Sequence, residues 1–380
     1  MRNAQIHYID GSWKDFKYTD SIVDFNPQLV LAFGSTALVG SSFIFEDLKA
    51  RFPQAIIVSA STSGEILGDS LFDDTVAATA IEFEKTSIKA VSTNFSDHTN
   101  SFEVGDYLIK QLLSDDLAAV FVISDGSFIN GSELVSGLNA NIPAHIPVTG
   151  GLAGDGARFQ QTLVGLNQTA VNGEIVAIGF YGNNICVGHS SFGGWDEFGR
   201  ERLVTKSEKN VLYELDGRSA LDLYKEYLGP YLNELPGSAL LFPLSVKIDD
   251  ESSNLVRTIL SINEQEKSMT FAGNLPVGSK VRLMKANFNK LIEASTNAAT
   301  ASIVRDRGTT QLAILISCVG RKLVLQERTS EEVEAAKVIF GNHTAITGFY
   351  SYGEISPFTP NTKCELHNQT MTITTFSETL

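Results

Sequence analysis

The spacing of apolar and polar residues changes repeatedly along this chain, and it predicts one order of elements three times. An apolar strand leads into a helix with one apolar face, a second short strand follows, and a later strand alternates between apolar and polar residues. In the first stretch these are a strand at 29–33, a helix through Ile44 and Leu48, and strands at 55–58 and 76–83. The predicted unit is therefore β-α-β-β.

Two further stretches show this order, and in each unit a glycine precedes a carboxylate near the end of the second strand. These pairs are Gly64-Glu65, Gly154-Asp155 and Gly353-Glu354. The predicted elements are a strand at 118–123, a helix at 133–139 and strands at 146–149 and 174–180 in the second stretch, and a strand at 311–318, a helix at 331–340 and strands at 344–347 and 370–376 in the third. A chance resemblance is the alternative, because strand–helix–strand order with a glycine turn is common in α/β proteins.

Residues 329–332 match a capping box, which predicts that the helix of the third unit begins there. Between the second and third units the pattern is mostly that of short strands, with a helix after Asp216 and an alanine-rich helix at 288–304. The sequence therefore predicts an α/β (mixed α+β) protein of two domains, 20–215 and 216–380. The first two β-α-β-β units lie in the first domain and the third lies in the second, and a predominantly β insert separates the second unit from the third.

Composition narrows the classes of partner. The 380 residues carry 29 basic and 44 acidic side chains, a net charge of −15, which disfavours nucleic acid and anionic membranes as partners. No apolar run approaches the length of a membrane span, and the first 20 residues lack the apolar segment of a secretory signal. Three widely spaced cysteines argue against a disulfide framework, so we expect a soluble, cytoplasmic protein.

The segment 348–357 combines flexible glycines with side chains that can bind a ligand. Two glycines bracket two tyrosines, and a glutamate follows the second glycine. Tyr350 and Tyr352 are two residues apart, so in an extended chain their rings point the same way. We expect them to wall a ligand pocket in which Glu354 supplies the counter-charge for an amine. The alternative is a strand whose tyrosine hydroxyls bond to the backbone while Glu354 caps a turn.

Cys318 and Arg321 follow an apolar strand, where α/β proteins usually place functional residues. Arg321 could hold a carboxylate with two hydrogen bonds, or it could pair with a structural carboxylate, and Cys318 could pack as a small apolar residue. The sequence offers no histidine partner for this cysteine, no nucleophile elbow and no metal-site spacing, so we expect neither catalysis nor a bound metal. Acid–base work by Glu65, Asp155 and Glu354 is a weaker alternative.

Together these motifs resemble the FIST family, whose N- and C-terminal modules occur in signal-transduction proteins. The residues that carry the resemblance are 61–66 (STSGEI), 150–155 (GGLAGD) and 176–180 (VAIGF) in the N-terminal part, and 317–321 (SCVGR), 348–355 (GFYSYGEI) and 367–370 (HNQT) in the C-terminal part. The resemblance covers about 24–376, with a FIST N-like domain at 20–215 and a FIST C-like domain at 216–380.

The resemblance implies a non-enzymatic sensor that binds a small molecule, such as an amino acid, and signals through a separate partner protein. The ligand-binding residues would then be Cys318, Arg321, Tyr350, Tyr352, Gly353, Glu354 and Asn368. Some members are similar to haem-binding nitric-oxide sensors that control a histidine kinase, and one histidine would suffice as the iron ligand. His343 and His367 lie nearest the tyrosine segment and are the expected haem ligands under that alternative. An uncharacterised enzyme is the second alternative.

Overall fold

The computed structural model is a mixed α+β fold of four β-sheets, which confirms the predicted class. It describes residues 1–18, 24–234, 237–248, 254–304 and 308–379. The predicted start of the first domain, at residue 20, lies outside the described residues. The three predicted β-α-β-β units are present, and the predominantly β insert lies between the second and the third.

The first part of the chain contains eight strands and three helices. They are β1 (Arg2–Ile9), β2 (Ser12–Tyr18), β3 (Leu29–Gly34), α1 (Thr36–Val39), α2 (Ser42–Arg51), β4 (Ile56–Ser61), β5 (Glu65–Leu67), β6 (Ser70–Phe72), β7 (Val76–Glu82), β8 (Ser87–Asn94) and α3 (Ser101–Leu112). The second unit and the strand that follows it are β9 (Leu117–Ser124), α4 (Gly131–Leu138), β10 (Val148–Leu152), β11 (Val164–Leu166), β12 (Glu174–Tyr181) and β13 (Ile185–Phe192).

The insert and the third unit complete the chain. The insert contains β14 (Asp196–Glu208), β15 (Val211–Leu215), β16 (Arg218–Ser219), α5 (Ala220–Leu228), β17 (Leu244–Lys247), β18 (Leu255–Arg257), β19 (Ile259–Asn263), β20 (Ser268–Phe271) and β21 (Lys280–Lys285). After it come α6 (Phe288–Ser302), β22 (Leu312–Cys318), α7 (Val319–Leu325), α8 (Thr329–Phe340), β23 (Ala345–Ser351), β24 (Gly353–Pro357), β25 (Cys364–His367) and β26 (Met371–Glu378).

Each unit builds the centre of one six-stranded sheet in the same way. The first two strands pair in parallel, as β3 with β4, β9 with β10 and β22 with β23. A helix joins each parallel pair, because parallel neighbours need a long crossover connection. The last strand of the unit then pairs antiparallel with the first, as β7 with β3, β12 with β9 and β26 with β22.

The three sheets are interlocked by a cyclic exchange of short strands. β5 of the first unit pairs with β23 of the third, β24 of the third pairs with β10 of the second, and β11 of the second pairs with β4 of the first. The exchange closes on itself, so each sheet contains strands from two units. The polypeptide therefore passes from one sheet to the next at 62–64, 153–163 and 351–353, directly beside the glycine–carboxylate pairs.

The three sheets share one apolar core. Phe33, Phe121, Ile316, Phe349 and other buried residues of the central strands pack together in a single cluster. Helices cover the outer faces in three separate clusters, with α2 on the first sheet, α3 and α4 on the second, and α6 and α8 on the third. Burying both faces explains why the central strands are almost continuously apolar.

Two glycines allow the parallel strands to approach their neighbours. Gly150 and Gly348 have φ of 144° and 157°, and a Cβ on either would lie 1.9 Å or 1.8 Å from a backbone carbonyl oxygen of Val122 or Leu315. A side chain at either position would therefore force the parallel pair apart. These glycines occupy equivalent positions in the second and third units, so both units use the same backbone geometry there.

The insert forms a fourth, curled sheet beside the other three. Its strand order is β18-β17-β21-β14-β15-β20-β19, with β16 paired to β15. The two outermost strands are separated in sequence only by Thr258, so the sheet bends back on itself. Its concave side is filled by apolar residues of the strands and of α5, including Leu212, Leu221 and Phe271. The insert thus has a core of its own.

The predicted capping box at 329–332 is wrong. Helix α8 begins at Thr329, but no side chain of the described residues caps it. Glu332, the acidic residue of the pattern, points into the core instead, where it is fully buried. A capping box needs this side chain to reach back to the helix start, and the buried arginine described below holds it elsewhere.

Candidate functional site

A cavity of about 500 Å³ lies where the second unit, the third unit and the insert meet. The second unit contributes the turn 126–131, which follows β9, together with Phe159 and Gln160 from the crossing loop. The third unit contributes Tyr352 and residues 318–320, where β22 ends and α7 begins, and the curled sheet contributes Thr258, Leu260 and 271–273. The ends of two parallel strand pairs thus open into it, the usual place for a ligand in such sheets.

The lining of the cavity is apolar and polar but carries no charge. None of the described lining residues is Asp, Glu, Lys, Arg or His, in a protein with a net charge of −15. The mouth is apolar, because Phe128, Phe159 and Leu260 are 54%, 45% and 47% exposed. Three exposed large apolar side chains around one opening are typical of a binding site.

Tyr352 and Phe159 form one wall of the cavity. Their rings stack with centroids 4.7 Å apart and planes 18° from parallel. The Tyr352 hydroxyl donates to Oδ1 of Asp155 and accepts a hydrogen bond from the backbone N–H of Phe159 at 3.0 Å. Burial and the neighbouring Asp155 carboxylate raise the pKa of Tyr352, so the ring is neutral at physiological pH. This wall is flat, aromatic and fixed at its polar end.

Asp155 also fixes the loop that carries Phe159. Its two carboxylate oxygens accept hydrogen bonds from the backbone N–H groups of Phe159, Gln160 and Gln161 at 2.8–3.0 Å. Phe159 has φ of 53°, a left-handed conformation that is unusual for an aromatic residue. The loop therefore holds Phe159 over the cavity in a backbone conformation that costs free energy, a feature that clusters at functional sites.

The end of β22 and the start of α7 also line the cavity. Cys318 lines the cavity yet is only 3% exposed. Burial and the nearby Glu354 raise the pKa of the Cys318 thiol, so it is protonated at neutral pH and a poor nucleophile. Gly320 lies beside it, and a Cβ there would come within 2.3–2.8 Å of the Gln369 side-chain amide. The amide therefore lies directly against a lining residue that has no side chain.

Gln369 and Asn368 are fully buried, and their side-chain amides have no hydrogen-bond partner among the described residues. Gln369 also has a left-handed backbone, with φ of 61°. The Asn368 amide nitrogen lies 3.6 Å from the position that a Cβ on Gly353 would take, as does a methyl group of Leu152, which lines the cavity. Buried amides are normally satisfied, so two adjacent exceptions beside a cavity call for a partner.

The insert is attached to the second unit by polar contacts at the cavity rim. The Asn130 amide donates to the Asn274 side-chain oxygen at 3.1 Å, and the Asn274 backbone N–H donates to the Ser132 hydroxyl at 3.0 Å. Lys209 pairs with Glu133 at 2.9 Å, although Lys209 is well exposed. Asn130 also caps α4, so the same residue begins the helix and forms part of the cavity rim.

Arg257 makes the deepest of these contacts. Its guanidinium donates from Nε to the carbonyl of Asn274 and from Nη1 to the carbonyls of Val256 and Leu366, at 2.9–3.2 Å. Burial lowers its pKa to about 10, which leaves it charged at neutral pH. The guanidinium also lies against Gly273, a lining residue. Three backbone carbonyls occupy this charged group, which is not itself among the lining residues.

Tyr350 and Arg321, two predicted ligand-binding residues, lie in the core of the third sheet. Arg321 donates from Nε and Nη2 to Glu332 at 3.0 and 2.7 Å, and Tyr350 donates to the other oxygen of that carboxylate at 2.7 Å. All three side chains are fully buried. Of the two arrangements open for Arg321, the structure shows pairing with a structural carboxylate.

The expectation that Tyr350 and Tyr352 face one pocket is not met. Tyr350 lies in β23 of the third sheet, whereas Tyr352 precedes β24, which belongs to the second sheet. The chain passes between sheets at Tyr352, directly after β23 ends at Ser351, so the alternation of one extended strand does not continue from Tyr350 to Tyr352. Tyr352 reaches the cavity and Tyr350 reaches Glu332.

Glu354 and Gly353 lie behind the cavity rather than in its lining. Glu354 is fully buried and accepts hydrogen bonds from the Ser351 hydroxyl and from the backbone N–H and hydroxyl of Thr370. Burial raises its pKa to about 8, although these hydrogen bonds lower it. A carboxyl group that is mostly protonated at neutral pH supplies little counter-charge for an amine.

The two histidines of the haem alternative lie apart from the cavity lining. His343 is exposed at the end of α8, and His367 is buried with Nε2 hydrogen-bonded to the Ser356 carbonyl at 2.8 Å. Burial lowers the pKa of His367 to about 4. A haem in the cavity would find no histidine among the described lining residues, so this site does not fit histidine ligation. No group of three or more metal-binding side chains occurs in the described ranges.

Comparison with known proteins identifies the family. The sequence model of the FIST N domain matches residues 28–218, and that of the FIST C domain matches residues 220–357. The chain belongs to the FIST family. FIST domains are sensory domains of signal-transduction proteins, and the cavity lies between elements of both matched regions.

A curated relative extends the comparison to archaea. An uncharacterized protein of Methanocaldococcus jannaschii is 24% identical over 283 residues, which cover 66% of this chain and 52% of that protein. The chain thus spans about half the length of the curated relative that it matches. No helix in the described ranges is both long enough and apolar enough to cross a membrane.

Of the predicted site residues, Cys318 and Tyr352 line the cavity and Asn368 does not, while Phe159 and the contribution of the insert were not predicted. Phe159 and the residues of the insert carried no signal, since their role depends on contacts between distant parts of the chain.

Proposed function

We propose that this FIST protein is a sensor whose small-molecule ligand binds in the cavity between the second unit, the third unit and the insert. The observation that carries the proposal is the uncharged cavity with its exposed apolar mouth, since monomeric proteins rarely expose such groups without a ligand or partner. Its volume, about 500 Å³, is typical of sites for metabolite-sized ligands.

Binding would act on the docking of the insert. The insert and the units all contribute residues to the cavity lining, and Asn130 both lines the cavity and donates a hydrogen bond to Asn274 of the insert. A ligand in contact with both sides favours the docked arrangement by its differential affinity for it. Its occupancy would then change the surface offered to a cytoplasmic partner, for which a histidine kinase is the candidate that the family resemblance implies.

An amino acid is a poor match for this lining. Its ammonium and carboxylate groups would both enter a cavity with no charged side chain in the described lining, and Arg257 is occupied by backbone carbonyls. Burying a charge without a partner costs several kcal/mol, on the order of the whole affinity of a weak ligand. Catalysis finds no support in the lining either, because its one thiol is protonated.

Filling the cavity tests the proposal. Ala272 is partly buried and lines the cavity, so Ala272→Phe should occupy its volume, whereas Ala50→Phe on the exposed face of α2 should not. Small molecules released from purified protein would be identified by mass spectrometry and then titrated by calorimetry. We expect Ala272→Phe to lose binding and Ala50→Phe to retain it. Unchanged binding in a folded Ala272→Phe protein would contradict the proposal.

The same preparations separate the haem alternative. We expect no Soret band after reconstitution with haem, because the cavity offers no histidine among its described lining residues. A Soret band that disappears in a His343→Ala or His367→Ala variant would instead favour a haem sensor that uses another site.

A further inference from the structure

Phe159 keeps a large exposed surface in the lining of the cavity, although Tyr352 covers one face of its ring. The two rings stack with centroids 4.7 Å apart and planes 18° from parallel. Phe159 is nevertheless 45% exposed, and it is a lining residue. Since a stacked pair leaves the outer face of each ring uncovered, a further ring can extend the pair on the Phe159 side.

The loop beneath this ring holds it in one position. The Asp155 carboxylate accepts hydrogen bonds from three consecutive backbone N–H groups that begin at Phe159, at 2.8–3.0 Å. Phe159 adopts φ of 53°, where a non-glycine residue is kept only by its surroundings. The protein therefore spends free energy to keep an apolar ring exposed at this place, which favours a role in binding.

A second exposed ring at the mouth is fixed to the same loop. Phe128 is 54% exposed, and its backbone N–H donates to the Asp125 carboxylate at 2.7 Å. The Thr162 hydroxyl, from the loop that carries Phe159, donates to Asp125 at 2.7 Å and accepts from the Gly126 N–H at 2.9 Å. The loops of both rings are thus joined before a ligand arrives, so binding costs little ordering entropy.

The rest of the lining favours an uncharged and mostly apolar ligand. No described lining residue is ionisable as an acid or a base at neutral pH, and the insert adds apolar side chains such as Leu240 and Leu260. The Tyr352 hydroxyl and the amide nitrogens of Asn130 and Asn210 donate to other groups of the protein. An ionised ligand would lose its hydration here without gaining an ion pair.

We propose that the ligand carries a neutral, flat aromatic ring system that stacks on the outer face of Phe159 and extends the Tyr352–Phe159 pair. Stacked rings attract one another beyond the effect of the area that they bury, so the pair selects a flat aromatic ligand over a saturated one of the same size. This inference rests on the proposed function, because it names the ligand class of the same cavity.

Four probes with one two-ring skeleton separate charge from aromaticity. 2-Naphthol is neutral and aromatic, decahydro-2-naphthol is neutral and saturated, 2-naphthoate is an anion, and 2-naphthyltrimethylammonium is a cation. Calorimetry would measure each with the wild-type protein. We expect 2-naphthol to bind, and both ions to bind at least about tenfold more weakly or not at all. Failure of 2-naphthol to bind, or an ion that binds as tightly, would overturn the inference.

Two leucine variants test the ring itself. Phe159→Leu removes the ring and keeps an apolar side chain, so it should weaken binding of 2-naphthol about three- to tenfold and that of decahydro-2-naphthol by less than about twofold. Phe43→Leu, at a 36% exposed ring on α2, is the matched control and should change neither affinity. Equal losses for the two probes in Phe159→Leu, or no loss for either, would show that the ring does not stack on the ligand.

The outcomes separate this inference from the function beneath it. If an ionic or saturated probe binds, 2-naphthol does not, and Ala272→Phe abolishes that binding, the cavity is a ligand site and the inference of a neutral aromatic ligand is wrong. If 2-naphthol binds equally well to Ala272→Phe, its site lies outside the cavity and both proposals fail.

Discussion

The turns of the first and third units differ from that of the second, and the difference locates the candidate site. In the first unit Glu65 accepts hydrogen bonds from the Thr62 hydroxyl, three residues earlier, and from the backbone N–H and hydroxyl of Thr75. Thr75 directly precedes β7, so the carboxylate ties the crossing between sheets to the start of the last strand.

The third unit repeats this arrangement atom for atom. Glu354 accepts from Ser351, three residues earlier, and from the backbone N–H and hydroxyl of Thr370, which directly precedes β26. Burial raises the pKa of Glu65 to about 7 and that of Glu354 to about 8. These two carboxyl groups therefore serve the fold, and neither belongs to the cavity lining.

The second unit divides that task between two carboxylates. Asp125, at the end of β9, accepts from the backbone N–H of Gly173, which directly precedes β12, and from Thr162. Asp155 is thereby free to hold the loop that carries Phe159 over the cavity. The unit that departs from the arrangement of the other two is thus the one whose crossing loop lines the cavity in which we propose that a ligand binds.

Removing the Asp125 carboxylate should reduce the stability of the protein more than any other change that we predict. Asp125→Ala leaves the backbone N–H groups of Ser127, Phe128 and Gly173 without their acceptor, and the Thr162 hydroxyl loses its partner. We expect the free energy of unfolding to fall by about 3 kcal/mol in urea denaturation, since each unsatisfied buried group costs about 1 kcal/mol or more.

Asp115→Ala is the matched control, because Asp115 is exposed in the loop before β9 and should change stability by less than about 0.5 kcal/mol. A loss below about 1 kcal/mol in Asp125→Ala would mean that this carboxylate does not carry the turn of the second unit.

Changing Glu354 should have an intermediate effect that depends on pH. Its folded pKa, about 8, exceeds its ordinary value of 4.5, so the folded protein binds more protons than the unfolded chain between these values. Wild-type stability should therefore fall as pH rises through this window. Glu354→Gln cannot ionise, and relative to wild type it should gain on the order of 1–3 kcal/mol between about pH 5 and about pH 8.5.

Glu65→Gln sharpens the comparison between the first and third units. The folded pKa of Glu65 is about 7, so the gain should have the same sign, be smaller, and be complete at a lower pH. Urea denaturation at several pH values measures both variants. If the difference between wild type and either variant is the same at both ends of the range, that carboxyl titrates normally and the buried turn is not as the structure shows.

Local patterns predicted the units because each parallel pair and its helix lie close together in sequence. The apolar run 29–33 and the alternation at 76–83 became β3 and β7 almost unchanged. The exchange of β5, β11 and β24 between sheets was not predictable in the same way. These strands have three to five residues, and their partners lie in another unit, so no periodicity in the sequence records the pairing.

The residues of the candidate site were also predictable only where they depend on local sequence. Cys318 and Tyr352 stood next to recognisable strand ends, and both line the cavity. Tyr350 carried an equal signal, yet it lies before the change of sheet at Tyr352 and its hydroxyl bonds to Glu332 in the core of the third sheet. Side-chain alternation holds only within one strand. It therefore does not predict which way a side chain points once the chain has left the sheet.

The smallest expected effect concerns the loop of the second unit. Phe159→Gly removes a 45% exposed ring but relieves the left-handed backbone, so the two changes should nearly cancel and alter stability by less than about 0.5 kcal/mol. Phe159→Ala removes the same ring and keeps the strain, so it should be less stable than Phe159→Gly by about 1 kcal/mol. Urea denaturation of the two variants isolates the backbone contribution. If the alanine variant is the more stable one, Phe159 does not hold a positive φ in solution, and the loop of the second unit is not strained over the cavity.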